Sequence, residues 1–199
     1  MLFRSEIIHD ENQYINLISD IINHGTMING RNGNAKTVFG SAMHFSLENN
    51  TIPILTTKKV AWKTCAKELF WFIKGSTDNK ELQNNNVKIW NGNSSRDYLD
   101  SIGLTDREEN DLGPVYGFQW RHFGAEYIDA DANYEGDGID QLQNVIDELR
   151  VNPNSRRCLV VAWNPTDLSK MALPPCHLMF QFRAYDGKLK ASMYQRSAE

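Results

Sequence analysis

The sequence lacks most of the features that mark secreted, membrane-embedded or broadly nucleic-acid-binding chains. Its three cysteines, Cys65, Cys158 and Cys176, are odd in number and show no C-x-x-C spacing. They fit neither a disulfide framework nor a zinc ribbon, and are read as reduced thiols. No apolar run is long enough to span a bilayer, and residues 1–10 hold no signal-like stretch, so the expected compartment is the cytoplasm. Positive charge is not in excess: 21 Lys and Arg stand against 25 Asp and Glu, which argues against broad electrostatic binding to nucleic acid and leaves room only for local Arg clusters. Repeats, low-complexity tracts and visible linkers are also missing. What is present is ordinary globular material, 41% hydrophobic over 199 residues. That is enough for one sizeable core, and residues 1–199 are expected to form a single mixed α+β domain.

Tyr14, Leu17, Ile18, Ile21 and Ile22 recur at helical spacing between Asp10, a candidate N-cap, and Gly25, which predicts an amphipathic helix over 10–24. The polar segment 29–36 reads as a loop. It feeds a strand over 37–47, on the alternation of Phe39, Met43, Phe45 and Leu47. Residues 60–74 carry Trp62, Cys65, Leu69, Phe70, Trp71, Phe72 and Ile73 and end at Gly75; the run is too long for one strand and predicts a mostly buried helix, with Glu68 as the lone acid of its interior. Residues 91–111 read as a surface excursion with at most a short helix. A further helix is expected over 140–150, closed by Asn152-Pro153, then a strand over 158–163. Strands 177–185 and 188–196 flank Asp186-Gly187, a pair suited to a tight hairpin.

Cys176 follows Pro174 and Pro175 and precedes an apolar strand. The thiol is thus expected at a strand entrance, where it is either a buried structural cysteine or a nucleophile that nearby arginines would favour as thiolate. Arg156-Arg157, Arg196-Ser197 and the loop residue Arg31 are either solvated surface or a phosphate clamp of guanidinium forks and a hydroxyl. Glu68 is either one half of a buried ion pair or a carboxyl whose raised pKa lets it relay protons. Trp90 and Trp120 are core or stacking platforms for a flat ring.

Together these segments resemble thymidylate synthase. The match runs through Thr56-Thr57-Lys58, the stretch from Glu68 to Gly75, the stretch from Asp111 to Gly124, Ser155-Arg156-Arg157, Leu173-Pro174-Pro175-Cys176-His177 and Tyr194-Gln195-Arg196-Ser197. The excursion with Ser95-Arg96-Asp97-Tyr98-Leu99-Asp100 looks like the eukaryotic type. The resemblance implies a thymidylate synthase-like mixed sheet packed by helices and a methyltransferase of dTMP biosynthesis. Cys176 would add to carbon six of dUMP, with methylenetetrahydrofolate as consumed cosubstrate and no metal. It further implies Arg31, Arg196 and Ser197 on the phosphate, and Arg156 and Arg157 donated to it by the partner in a homodimer. Glu68 is implied as proton relay and Tyr116 as the phenol near the departing carbon-five proton. His177 and Gln195 are implied in the nucleotide pocket, and Ile89, Trp90 and Asn93 beside the folate.

The chain departs from the family pattern at Gly30, in the loop 32–35, and at Glu199, which stands where the family has a pterin-binding aspartate. By the same resemblance the C-terminal third of the family fold is absent, which predicts exposed apolar surface on the helix over 60–74. Two other readings stay open: a pyrimidine nucleotide hydroxymethylase, in which water takes the methylene intermediate, and a catalytically inactive truncated subunit or regulatory relative.

Overall fold

The structure is a computed structural model that describes residues 9–30 and 33–198, so Arg31 and Glu199 lie outside the described residues. Contacts group the chain into two compact units, Met1–Trp62 and Lys63–Glu199.

In the first unit, helix α1 (Asn12–His24) is followed by strands β1 (Thr26–Gly30) and β2 (Gly33–Thr37) and by a single 3-10 turn, Glu48–Asn50. The strands pair antiparallel, Thr26 opposite Thr37 and Gly30 opposite Gly33. Polar tethers organise this unit. Glu11, rather than the expected Asp10, sits at the N-cap position of α1 and caps nothing with its side chain. Its carboxylate instead accepts from the backbone N–H of Thr56 (2.7 Å) and Thr57 (2.9 Å) and from both threonine hydroxyls. Asp10 Oδ2 accepts from Ser46 N–H at 2.9 Å, and the Gln13 side chain exchanges bonds with the backbone of His44.

The strand expected over 37–47 does not form, and part of the expected loop is a hairpin instead. Alternation is not sufficient for a strand, because its N–H and C=O groups also need a partner ladder. Segment 26–30 supplies that ladder to 33–37. Residues 38–47 carry no regular structure, and Phe39 is 97% exposed.

The second unit holds most of α2 (Trp62–Lys74), then α3 (Asn79–Asn84), α4 (Arg96–Ser101), α5 (Tyr116–His122) and α6 (Gln141–Val151). Its sheet has the order β3-β4-β5, with β3 (Leu159–Val161), β4 (His177–Tyr185) and β5 (Lys188–Gln195) all antiparallel. The mixed α+β class is as expected. Asp186 and Gly187 both take positive φ, 53° and 68°, the conformation that a two-residue hairpin consistent with strand twist requires. Asp140 caps α6 by accepting from Gln143 N–H at 2.9 Å, and the excursion after Asn91 contains the short helix α4, capped by Ser95.

Helices α5 and α6 pack on β3, and the core gathers Phe72, Trp90, Leu99, Leu112, Val115, Trp120, Val160 and their neighbours. Besides α3, where no element was expected, two helices depart from the sequence reading. Helix α2 is not mostly buried: within it only Trp71 and Phe72 are enclosed, while Trp62, Leu69, Phe70 and Ile73 are exposed. Its apolar side chains spread well beyond the part of the helix that packing reaches, which holds Trp71 and Phe72. Helix α5 was not anticipated, because Tyr116 to Trp120 are all buried, and a helix enclosed on every side shows no amphipathic period. Among the described residues no helix is long and apolar enough to cross a membrane.

Candidate active site

Cys176 sits half-buried immediately before β4, at the strand entrance its sequence context implied. Three contacts hold its segment. The Cys176 N–H donates to Tyr116 Oη at 2.7 Å. The Arg196 N–H donates to the Cys176 carbonyl at 2.9 Å. The Arg196 guanidinium donates to the carbonyls of Pro175 (2.9 Å) and Pro174 (2.8 Å). Proline lends a carbonyl and no N–H, so the double proline offers acceptors that the arginine takes up. Trp163, which the sequence reading did not single out, lies under the Arg196 guanidinium at 5.7 Å.

Tyr116 opens α5 and is fully enclosed. Gly117 makes that position possible: a Cβ there would stand 2.8 Å from the Phe72 carbonyl, so only glycine lets α5 approach the end of α2 this closely. Burial, chiefly, pushes the Tyr116 phenol up to about 12; the bond from the Cys176 N–H and the Arg196 charge oppose the rise, and the charges of Cys176 and Glu68 add to it. The phenol therefore stays protonated at neutral pH. Because its oxygen already accepts from Cys176, its own proton is free to donate to a third group.

His177 stacks on Tyr116, ring centroids 4.4 Å apart. Burial lowers its pKa, which keeps the ring neutral, and its Nδ1 is buried without a hydrogen-bond partner among the described residues. Glu68 accepts from the Trp90 indole N–H at 2.7 Å, and burial raises its carboxyl above the usual carboxylate range. Burial thus favours the protonated form of this carboxyl. Trp90 is 6% exposed and meets Tyr116 edge-on at 6.1 Å. Trp90 and Trp120 are both core residues, and Trp120 Nε1 is buried without a hydrogen-bond partner among the described residues.

Glu68, Trp90, Tyr116, Cys176, His177 and Arg196 are thus linked by direct contacts. Gln195 pairs across strands with His177, and its side chain donates to the Ser197 carbonyl at 2.8 Å. Ile89 is exposed and Asn93 half-buried, both in the turns next to Trp90. Arg156 and Arg157 stand apart from this cluster. They are exposed on the segment entering β3, where the Arg156 carbonyl accepts from the Gln181 side chain and the Cys158 carbonyl from Phe182 N–H. At the rise of an extended strand, that point of β4 is roughly 15 Å from its Cys176 end. Arg157 also lines a shallow groove of about 640 Å³ between α6 and β3. Among the described residues no group of three or more His, Cys, Asp or Glu is placed to hold a metal ion.

Comparison with known proteins identifies the family of the chain that carries this arrangement. The family model described as thymidylate synthase matches residues 12–199. A putative bifunctional dihydrofolate reductase-thymidylate synthase of Oryza sativa subsp. japonica is 58% identical over 192 residues, covering 96% of this chain and 39% of the relative. The bifunctional relative of Zea mays is 55% identical over 192 residues, 96% of this chain and 37% of its own length. A thymidylate synthase of Herpesvirus ateles is 53% identical over 195 residues, 98% of this chain and 67% of the relative. The chain therefore spans less than half the length of the plant relatives and about two thirds of the viral one. A match that runs through the strand entrance at Cys176, the buried helix at Tyr116 and the carboxyl at Glu68 alike leaves one conclusion: this chain belongs to the thymidylate synthase family.

Proposed function

We propose that the chain acts as a thymidylate synthase, a methyltransferase of nucleotide biosynthesis that converts dUMP to dTMP with methylenetetrahydrofolate. The observation that carries this reading is the placement of Cys176, held at a strand entrance between the protonated Tyr116 phenol and Arg196. In the proposed sequence the Cys176 thiolate forms a bond to carbon six, and carbon five attacks the one-carbon unit of the folate. Carbon five then loses its proton, tetrahydrofolate leaves and returns a hydride to the exocyclic methylene, and the sulfur–carbon bond breaks. The products are dTMP and dihydrofolate, and the covalent bond divides one difficult step into easier ones.

In this reading Tyr116 and Glu68 manage protons at carbon five. Arg31, Arg196 and Ser197 hold the phosphate, and His177 and Gln195 line the pyrimidine side. Ile89, Trp90, Asn93 and Glu199 face the folate. The separation between Cys176 and Arg156-Arg157 within one chain supports their service to a second copy, hence a homodimer with each phosphate clamped by both subunits. We place the protein in the cytoplasm, in line with its unpaired cysteines.

The test is intact-mass spectrometry after incubation with fluoro-dUMP and methylenetetrahydrofolate, alongside Cys176→Ser. A gain equal to nucleotide plus folate, absent in the variant, is the expected result. No adduct on a folded wild-type chain overturns the reading. Release of dihydrofolate, followed by absorbance, separates the synthase from a hydroxymethylase, which leaves the folate unoxidised.

A further inference from the structure

The site's two central residues arrive on separate limbs of chain, one from Asp111 to Tyr116 and one from Lys170 to Cys176. At one end the limbs meet through the bond from Cys176 N–H to Tyr116 Oη. At the other they are joined by a buried polar cluster that the reaction described above does not use.

Asp111 is its centre, 3% exposed. Its carboxylate accepts from Gly113 N–H (2.7 Å), Tyr127 Oη–H (2.6 Å) and Ala130 N–H (3.2 Å), and pairs with Arg107 at 3.3 Å. The guanidinium of Arg107 lies over the Tyr127 ring at 4.8 Å and donates to the Lys170 carbonyl at 3.2 Å, so it touches the second limb directly. Ala172 N–H donates to the Leu112 carbonyl at 3.0 Å, and Leu112 N–H to the Thr77 carbonyl at 3.1 Å, while Thr77 Oγ1 lies 2.8 Å from Tyr127 Oη. Gly113 takes φ +75°, and a Cβ there would collide with the Lys170 carbonyl. The limbs are therefore as close as backbone allows at Gly113, whose N–H donates to Asp111.

We propose that Asp111, with Arg107 and Tyr127 as partners, is a positioning residue for the reaction: it sets the spacing of the two limbs and thereby the placement of Tyr116 Oη and Cys176 Sγ against the pyrimidine. This rests on the synthase reading. The cluster is suited to the task because charge-assisted bonds in a dry site are stiff, and removing one partner leaves a buried charge that forces its surroundings to move. Displacement of reacting groups by an ångström costs roughly a hundredfold in rate without any loss of the groups themselves.

The experiment compares wild type, Asp111→Ala, Tyr127→Phe and Val145→Ala, the last a core truncation on α6 that serves as a matched loss of stability. Each is measured for kcat and KM with dUMP and, well below its melting midpoint, for amide exchange at Cys176 relative to the core amide of Leu99. Asp111→Ala is expected to lower kcat by about tenfold or more with KM shifted less than about threefold. The Cys176 amide is expected to exchange about tenfold faster relative to Leu99 in that variant, since its partner moves away. Val145→Ala should change neither ratio. Tyr127→Phe keeps the carboxylate, the Gly113 bond and the Arg107 pair, so it reports in the same direction with a smaller loss of about threefold even where Asp111→Ala does not fold. A fall in Tm with kcat intact, or Cys176 and Leu99 amides accelerating in step, overturns the proposal. A wild type that forms neither product nor adduct overturns the synthase reading instead, and the exchange ratio then still decides whether Asp111 sets the limb geometry.

Discussion

The two units of this chain are held together by different chemistry. In the first, Glu11 is the one buried side chain among the described residues, 7% exposed, and what it does is accept bonds from Thr56 and Thr57. Large apolar groups such as Ile22, Met27, Phe39 and Leu47 stay exposed. In the second, an apolar cluster runs from Trp71 and Phe72 through Leu99, Leu112 and Val115 to Val160, and the buried polar groups are networked inside it. Asp111 is one such group. Gln119 is another: it donates to Asp167 at 2.9 Å and to the Pro114 carbonyl at 3.0 Å. Directional bonds bring the first unit's segments into place without drying them, whereas the second gains both burial and direction. The catalytic candidates Cys176, Tyr116 and Glu68 all lie in the second unit, and burial there raises the pKa of Tyr116 and of Glu68.

This contrast breaks most visibly at the core. Leu99→Ala in the second unit should cost about 3–5 kcal/mol in a denaturant melt, whereas Phe39→Ala in the first should stay within about 0.5 kcal/mol. Comparable losses at the two positions would erase the distinction. Next in size is Tyr116→Phe, which strands the Cys176 N–H and is expected to cost about 1–3 kcal/mol. The phenol also provides a pH test. Its folded pKa is raised from 10 to about 12, so its stabilising contribution is complete below pH 10 and is lost as pH rises through 12. Tyrosinate absorbance during alkaline titration, with Tyr116→Phe as the difference, should show one phenol titrating late.

The smallest effect is expected in the first unit and sharpens the comparison. Bonds from Thr56 and Thr57 hold the Glu11 carboxyl down, from 4.5 to about 2. The depressed value means that its contribution is present above pH 4.5 and disappears as pH falls through 2. Glu11→Gln should accelerate amide exchange at Thr56 and Thr57 at neutral pH and leave the Leu99 amide unchanged. In wild type the two threonine amides should keep their protection down to about pH 3.

Much of the second unit was legible from local pattern. The helices over 62–74 and 141–151, the turn at Asp186-Gly187 and the strand entrance at Cys176 all come from neighbours within a few residues. The same method failed at 37–47, where alternation lacked a partner, and at α5, where burial on every side removed the period. The candidate site was legible as a set of residue types, and the family motifs named Glu68, Tyr116, Cys176, His177 and Arg196, which the structure brings into contact, together with Arg156 and Arg157, which it does not. The site's orientation was not legible. Nothing local to Pro174 and Pro175 says that their carbonyls receive the Arg196 guanidinium, and nothing in a lone apolar-helix acid says that Glu68 faces the Trp90 indole.

By itself, then, the sequence determined the mixed α+β class and the main helices of the second unit, because backbone periodicity and turn chemistry act over short separations, while its motifs carried the resemblance to the family and, through it, the choice of Cys176 as nucleophile candidate. Only the tertiary structure decided which stripe of α2 is buried, that Glu11 ties down Thr56 from 45 residues away, and that Tyr116 meets Cys176 across 60. Those contacts depend on where distant segments end up packed, and on the burial that sets the Glu68 and Tyr116 protons, neither of which any local pattern records.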